Sequence, residues 1–344
     1  MKTSSSKHAA TRVQPPSKRK HYQGLNPSDK VRAVLASRAG GPAVIGYMDH
    51  AAVHHVYLTD GLFRPIANGT RKSGTHVQGS YKLDNVLYQC SWDSSEALDV
   101  IDQSVLFALC QLGARSDCRT QLNPFEPTEL ALLAPLDFCG FTAYSSFVAV
   151  QTTPQALAKA VGLSATGNNT QQVRNSLQRL SGTIMRFKKT WEGVEKEGST
   201  RIIGVTGTQD ELTIFLNGEL SQRCLEHKGV WINMREQRIL QKTSKPAKKL
   251  HAFLSFWAST SSIKVIGLDK LPKHVWGAIP CSASAKKSRT RTILEALDHI
   301  AKLPGWTMVV DKERGQLKVK LPIFIGTAAA CVPTHVRAMQ AKSL

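Results

Sequence analysis

Residues 153–190, TPQALAKAVGLSATGNNTQQVRNSLQRLSGTIMRFKKT, decide the fold. Thr153 offers a hydroxyl to cap a helix, Pro154 suits its first position, and Gly162 follows Val161 as a stop. After the linker SATGNN, Thr170 to Leu180 reads as a second helix. It sets Val173, Leu177, Leu180 and Ile184 at i, i+4, i+7 and i+11, a core-facing stripe. Another face of that helix carries Gln171, Arg174, Asn175 and Gln178. Met185 to Thr190 and Arg201 to Leu216 read as strands, with EGVEKEGS (192–199) between them as a flexible polar loop. Helix, turn, polar-faced helix and hairpin, in that order, make a winged helix-turn-helix.

The order recurs downstream. Gly218 to His227 predicts a short helix, Val230 to Ile232 a strand, and Lys245 to Trp257 an amphipathic helix with Leu250, Phe253, Leu254 and Trp257 inward. Ile263 to Val265 follows as a strand, Leu268 to Trp276 as a short helix and Ser284 to Leu303 as a long one. Trp306 to Leu321 is a hairpin with its tip at 311–315. Upstream, Val56-Tyr57-Leu58 is strand-like, Leu62 to Pro65 a short extended connector, and Tyr81 to Trp92 β-type around a turn signal at Asp84-Asn85. Leu98, Ile101, Val105, Leu109 and Leu112 have helical spacing, with Gly113 as a stop. Residues 114–150, with Pro124, Pro127 and Pro135, carry the weakest pattern and read partly as loop. The expectation is an α+β chain of two tandem winged-helix domains, 49–216 and 217–322. A disordered basic tail (1–48) precedes them and a C-terminal tail (323–344) follows.

The chain of 344 residues carries 45 Lys and Arg against 25 Asp and Glu, a net charge of +20. That charge is segregated. Residues 1–40 hold nine basic residues and one acid, 41–135 six and ten, and 136–344 thirty and fourteen. Solubility alone gives no reason for such sorting, whereas a polyanionic partner does. A membrane is not expected. No run approaches the ~18 apolar residues a span requires, and Ile323 to Val332 is short and broken by Gly326. The start lacks the basic-then-apolar order of a signal peptide. Seven scattered cysteines without a CxxC pair fit a reducing cytoplasm.

A major groove admits one helix, where Asn and Gln can pair with adenine and Arg with guanine through two hydrogen bonds each. Gln171, Arg174, Asn175 and Gln178 match that chemistry, and no acid interrupts them. Lys286, Lys287, Arg289 and Arg291 crowd the first turns of the late helix, where they oppose its dipole unless a phosphate arrives. Lys312 and Arg314 on the late hairpin tip, and Lys188 and Lys189 on the earlier hairpin, suit wings touching the DNA backbone. Catalytic readings find little. There is no P-loop, no GxSxG, no HExxH and no zinc spacing. His50, His54 and His55 lack the His-apolar-His pair of a metal-dependent nicking enzyme and read as a structural or surface group. No catalytic residue, cofactor or metal is expected.

Taken in order, several stretches resemble the iteron-binding replication initiators of IncQ-type plasmids, the RepC family. HHVYLTDGLFRP (54–65) is similar to the family's opening, and Gln155 to Leu180 to its first helix-turn-helix. Leu216 to Leu220, Val230 to Ile239, Val275-Trp276, Lys286 to Leu297 and Gly305 to Thr307 follow its second half. The resemblance covers about residues 50–321 and implies two tandem winged-helix domains that bind repeated sites at a plasmid origin. It further implies melting of an adjacent A+T-rich segment and recruitment of a plasmid-encoded helicase, without catalysis. The eight residues of the two helix faces carry over as DNA contacts. The long basic N-terminal tail and the extra C-terminal residues depart from the family. From the residues alone, a winged-helix transcriptional repressor and an origin-nicking Rep enzyme stay open as alternatives, and so does a homodimeric form.

Overall fold

The computed structural model describes residues 49–322, apart from 68, 84–85, 141–145, 228, 259 and 279–281. The expected tails at 1–48 and 323–344 and the turn at Asp84-Asn85 lie outside the described residues. The chain is a mixture of helices and sheets, in keeping with an α+β fold.

The early part runs β1 (His50–Val53), a 3-10 turn (His55–Leu58), β2 (Phe63–Arg64), β3 (Ser73–Leu83), β4 (Val86–Glu96), β5 (Leu98–Asp99) and α1 (Val100–Ala114). Val56-Tyr57-Leu58 is therefore not a strand. His54 Nδ1 accepts from the Val56 N–H at 3.3 Å and curls the segment, which buries all three side chains. Gly113 lies inside α1 and does not end it. A Cβ there would stand 2.9 Å from Leu216 Cδ1 and 3.2 Å from Cys224 Sγ, so the glycine serves close packing. The poorly patterned stretch that follows holds β6 (Arg119–Leu122), α2 (Pro127–Leu130), a 3-10 turn (Ala131–Leu136), β7 (Cys139–Gly140) and β8 (Phe147–Thr152).

Next come α3 (Pro154–Ala160), α4 (Gly167–Gly182), β9 (Ile184–Trp191), β10 (Val194–Arg201), β11 (Ile203–Gly207) and β12 (Leu212–Leu216). The expected flexible loop at 192–199 is instead β10, paired with β9 over its full length. Only Glu192 and Gly193 form the turn, at φ +48° and +78°, the left-handed pair that suits the twist of a tight hairpin. Lys188 lies across from Glu197 and reaches Glu195 diagonally, which helps this polar stretch pair even though Lys189 lies across from Lys196.

The late part runs α5 (Gly218–Glu226), β13 (Val230–Asn233), α6 (Met234–Gln241), α7 (Lys245–Trp257), β14 (Lys264–Gly267), α8 (Leu271–Trp276), α9 (Ala283–Ala301), β15 (Thr307–Asp311) and β16 (Gln316–Lys320). Strand–helix–helix–hairpin thus occurs twice, as β8-α3-α4-β9-β10 and as β14-α8-α9-β15-β16. The sheets behind the two runs differ. β14 pairs with β16 in the order β14-β16-β15, whereas β9 and β10 join a five-stranded sheet, β3-β4-β9-β10-β7, and β8 lies in another, β11-β12-β8-β6.

Two buried apolar clusters hold these elements. The first packs α1 against β8, α3, α4, β12 and α5, with Phe107, Leu109, Val148, Leu157, Leu177 and Leu216 among its members. The second packs α7, α8 and α9 onto the late sheet through Leu250, Leu254, Leu271, Leu297, Ile300 and Leu317. α7 serves both, giving Ala252 to the first and Leu250 and Leu254 to the second. Each buried Leu or Ile contributes ~1.5–3 kcal/mol relative to exposure, so these clusters decide which helix faces are left for function.

Candidate nucleic-acid interface

Thr153 Oγ1 accepts from the Ala156 N–H at 3.0 Å and caps α3. Gly162, at φ +87°, turns the chain where an added Cβ would lie 3.1 Å from Arg238 Cα. Asn169 pins the linker by donating to Ser164 O at 3.0 Å and to its Oγ at 2.7 Å. α4 then buries Val173, Ser176, Leu177 and Leu180. Gln171, Asn175 and Gln178 are left exposed on the opposite side. Gln171 Nε2 donates to Asn175 Oδ1 at 2.9 Å, which holds two of the amides as a pair. Arg174 shares this face by spacing, yet it is half-buried and donates to the Gln209 carbonyl in the β11–β12 turn.

A buried carboxylate holds α4 from behind. Arg179 Nη2 donates to Asp102 Oδ1 at 2.7 Å, and Arg71 reaches Asp99 Oδ2 at 2.8 Å and Asp102 Oδ2 at 3.3 Å. Asp102 also accepts from the Asp99 N–H at 2.7 Å, while Asp99 Oδ1 accepts from the N–H groups of Ile101 and Asp102. The result is a reciprocal cap on α1. Burial and the Asp99 carboxylate push the Asp102 acid above its usual range, against the pull of Arg179. Sequence reasoning overlooked this tether. Its signal was Asp99-x-x-Asp102 ahead of an apolar run.

Lys188 and Lys189 point to opposite faces of β9. Lys188 meets Glu195 Oε2 at 2.7 Å on the outer face, and that contact raises its pKa. Lys189 turns inward. It is 16% exposed, sits 2.6 Å from Glu219 Oε1, and lies 5.3 Å from the ring centres of Tyr88 and Phe187. The structure thus sets it against a buried carboxylate and away from the outer, backbone-touching position expected of it. The histidines are also interior. His54 is fully buried, with its pKa well below the usual value, and burial lowers His55 to about 4.

The second run places its cations differently. Ser282 Oγ accepts from the Ala285 N–H at 3.2 Å and caps α9, which buries Ile293, Ala296, Leu297 and Ile300. Lys286, Lys287 and Arg291 are exposed. Arg291 lies 3.8 Å from Glu295 Oε1 with 77% of its side chain open. Arg289 folds back, donating to Ala278 O at 2.8 Å while its guanidinium covers Trp276 at 5.1 Å. Neither partner of Arg289 was legible from sequence. Lys312 and Arg314 are exposed at the hairpin tip, where the Arg314 N–H donates to Asp311 Oδ1 at 3.0 Å.

Buried positions of the two helices correspond at a constant offset. Val173, Leu177 and Leu180 align with Ile293, Leu297 and Ile300, 120 residues later. By the same offset the outward row Gln171, Asn175, Gln178 aligns with Arg291, Glu295, Asp298. Among the described residues no group of His, Cys, Asp and Glu is placed to hold a metal ion, and no helix is long and apolar enough to cross a membrane.

Residues 45–322 match the family described as replication protein C, RepC. The chain belongs to the RepC family. No curated protein matches the sequence. Among solved structures, this RepC-family chain is similar to a crystal structure of domains 2 and 3 of RctB. That match has 11% identity and a TM-score of 0.47, and covers 76% of this chain and 95% of that one. A second crystal structure of the same two domains matches with 12% identity and a TM-score of 0.44, covering 75% and 95%. The RepC match includes both helix pairs and both hairpins.

Proposed function

We propose that this RepC-family protein is a sequence-specific, non-catalytic DNA-binding initiator of plasmid replication. Two tandem winged-helix domains grip repeated sites in duplex origin DNA. Copies on adjacent repeats promote opening of an A+T-rich segment, and the assembly recruits a plasmid-encoded helicase. The observation that carries the reading is the doubled strand–helix–helix–hairpin. Each time, its second helix has one face buried in a core and the other clear of it. The β14-β16-β15 sheet order, with the hairpin sharing one apolar cluster with α9, supports a wing in the second run. The net charge of +20 supports a phosphate backbone as partner, since neutralising phosphates releases counterions. Opening without nucleotide hydrolysis follows if binding strains the duplex, because flexible pyrimidine–purine steps such as TA yield most easily.

Footprinting the purified protein on its parent plasmid tests this. Protection at a constant repeat spacing beside an A+T-rich stretch is the expected result. One protected operator at a single promoter would replace initiation with repression. A covalent nick in supercoiled origin DNA with Mg²⁺ would make the protein an enzyme.

A further inference from the structure

We infer that the two exposed helices divide the work of binding: α4 chooses the sequence by amide contacts to A·T base pairs, and α9 supplies affinity through phosphates with little base preference. This deepens the proposed DNA-binding function and rests on it.

The argument begins with what each face can offer once internal bonds are counted. Between Gly167 and Gly182 the charged residues are Arg174 and Arg179, with no acid. The protein itself engages both: Arg174 on the Gln209 carbonyl, Arg179 on Asp102. What α4 presents is therefore neutral, namely Gln171, Asn175 and Gln178, with Asn168 exposed at its start. Amides are weak ligands for phosphate but match adenine N6 and N7 in the major groove. The Gln171–Asn175 bond holds two of them in a set arrangement before DNA arrives.

α9 has the reverse character. Lys286, Lys287 and Arg291 are exposed, and Arg289 is held at the same end over Trp276. Farther along the outward row stand Glu295, 3.8 Å from Arg291, and Asp298, 2.6 Å from Lys302 Nζ, both exposed and at the positions equivalent to Asn175 and Gln178. Two carboxylates in that row resist laying the helix along a groove walled by phosphates. Only the cationic end then approaches DNA closely, as a backbone clamp. The reach of base readout on α9 ends where its acids begin.

Salt titration separates the two roles in the full-length protein. Binding to origin repeats and to random duplex of equal length is measured at several salt concentrations, with a randomised-duplex selection for base preference. All the substituted side chains lie outside the apolar cores, and circular dichroism checks that each variant is folded. For Lys286→Ala with Lys287→Ala, the slope of log affinity against log salt becomes shallower by about 2, since each phosphate contact adds ~0.9. The selected sequences stay the same, and Lys286→Arg with Lys287→Arg restores the slope. For Gln171→Ala with Asn175→Ala the slope stays put. Preference at one or two A·T positions collapses there, at roughly 5- to 150-fold per base pair. A changed slope in the amide variant, or changed base preference in the lysine variant, overturns the division while leaving DNA binding intact. A wild-type protein that holds no duplex at all would remove the proposed function itself.

Discussion

Lys188 and Lys189 are adjacent on β9 and face different worlds: one is exposed beside Glu195, the other closes over Glu219. Removing Lys189 leaves a buried carboxylate without its cation, which in comparable cases costs ~3 kcal/mol or more. Lys189→Ala is expected to lower the thermal midpoint by several degrees and leave the salt slope of DNA binding unchanged. Lys188→Ala should leave the midpoint nearly where it was. Paired melting and binding curves check both. Lys248 and Lys249 present the same problem without, among the described residues, a carboxylate in hydrogen-bonding contact. Each is 1% exposed, and burial lowers their pKa values to about 7 and about 8. Lys248 is held by Gln241 Oε1 at 2.6 Å. Folding therefore disfavours the protonated form that the unfolded chain keeps up to about pH 10.4. Stability should be lowest at and below neutrality and rise as pH climbs from 7 toward 10, because the unfolded chain binds more protons in that window. Lys248→Met flattens this rise in denaturant titrations at stepped pH. An unaltered slope would mean that the ammonium finds a better partner than Gln241.

At the scale of elements, α4 depends on groups far from it in sequence. Asp102 receives both Arg179 and Arg71 while capping α1, so Asp102→Asn removes one charge from a network of mutually dependent bonds. The expected loss is ~3 kcal/mol, with faster hydrogen exchange along α4 than along α9. Equal exchange in both helices would show that the apolar stripe alone fixes α4. Most of the helices could be read in advance, for identifiable reasons. Lys245–Trp257 was predicted at its observed bounds: Ser244 caps it, Pro246 suits its first turn, and its apolar residues keep helical spacing. Polar strands could not be read this way. β10 (VEKEGSTR) has the composition of a loop and becomes a strand because β9 supplies cross-strand partners. β3 begins well before the expected Tyr81 because its inner row carries Thr75 and Gly79 beside Val77, which hides the apolar alternation. The site was legible as a set of helix faces but not as a set of free groups. Arg174 and Arg289 each meet a backbone carbonyl, 35 and 11 residues away, that no local pattern announces.

The whole molecule joins its two cores through backbone as well as side chains. Gly61 and Gly277 touch so closely that a Cβ on Gly277 would lie 2.5 Å from Gly61 Cα. Beside them His274 Nδ1 lies 2.9 Å from Asp60 Oδ1, and Lys245 Nζ donates to Ile66 O at 3.1 Å. Gly277 also sits at φ +77°, so Gly277→Ala adds left-handed strain to a collision of main chains. A loss of about 2 kcal/mol or more is expected, read as a lower thermal midpoint and as early exchange at the α8 end. An undisturbed midpoint would show that the two segments part without penalty. If they cannot part, the spacing of α4 and α9 is fixed by the protein, and under the proposed function duplex DNA meets a rigid pair of helices. Any misfit with the pitch of the double helix must then be absorbed by the nucleic acid, so the stiffer partner sets the twist and the softer one is unwound.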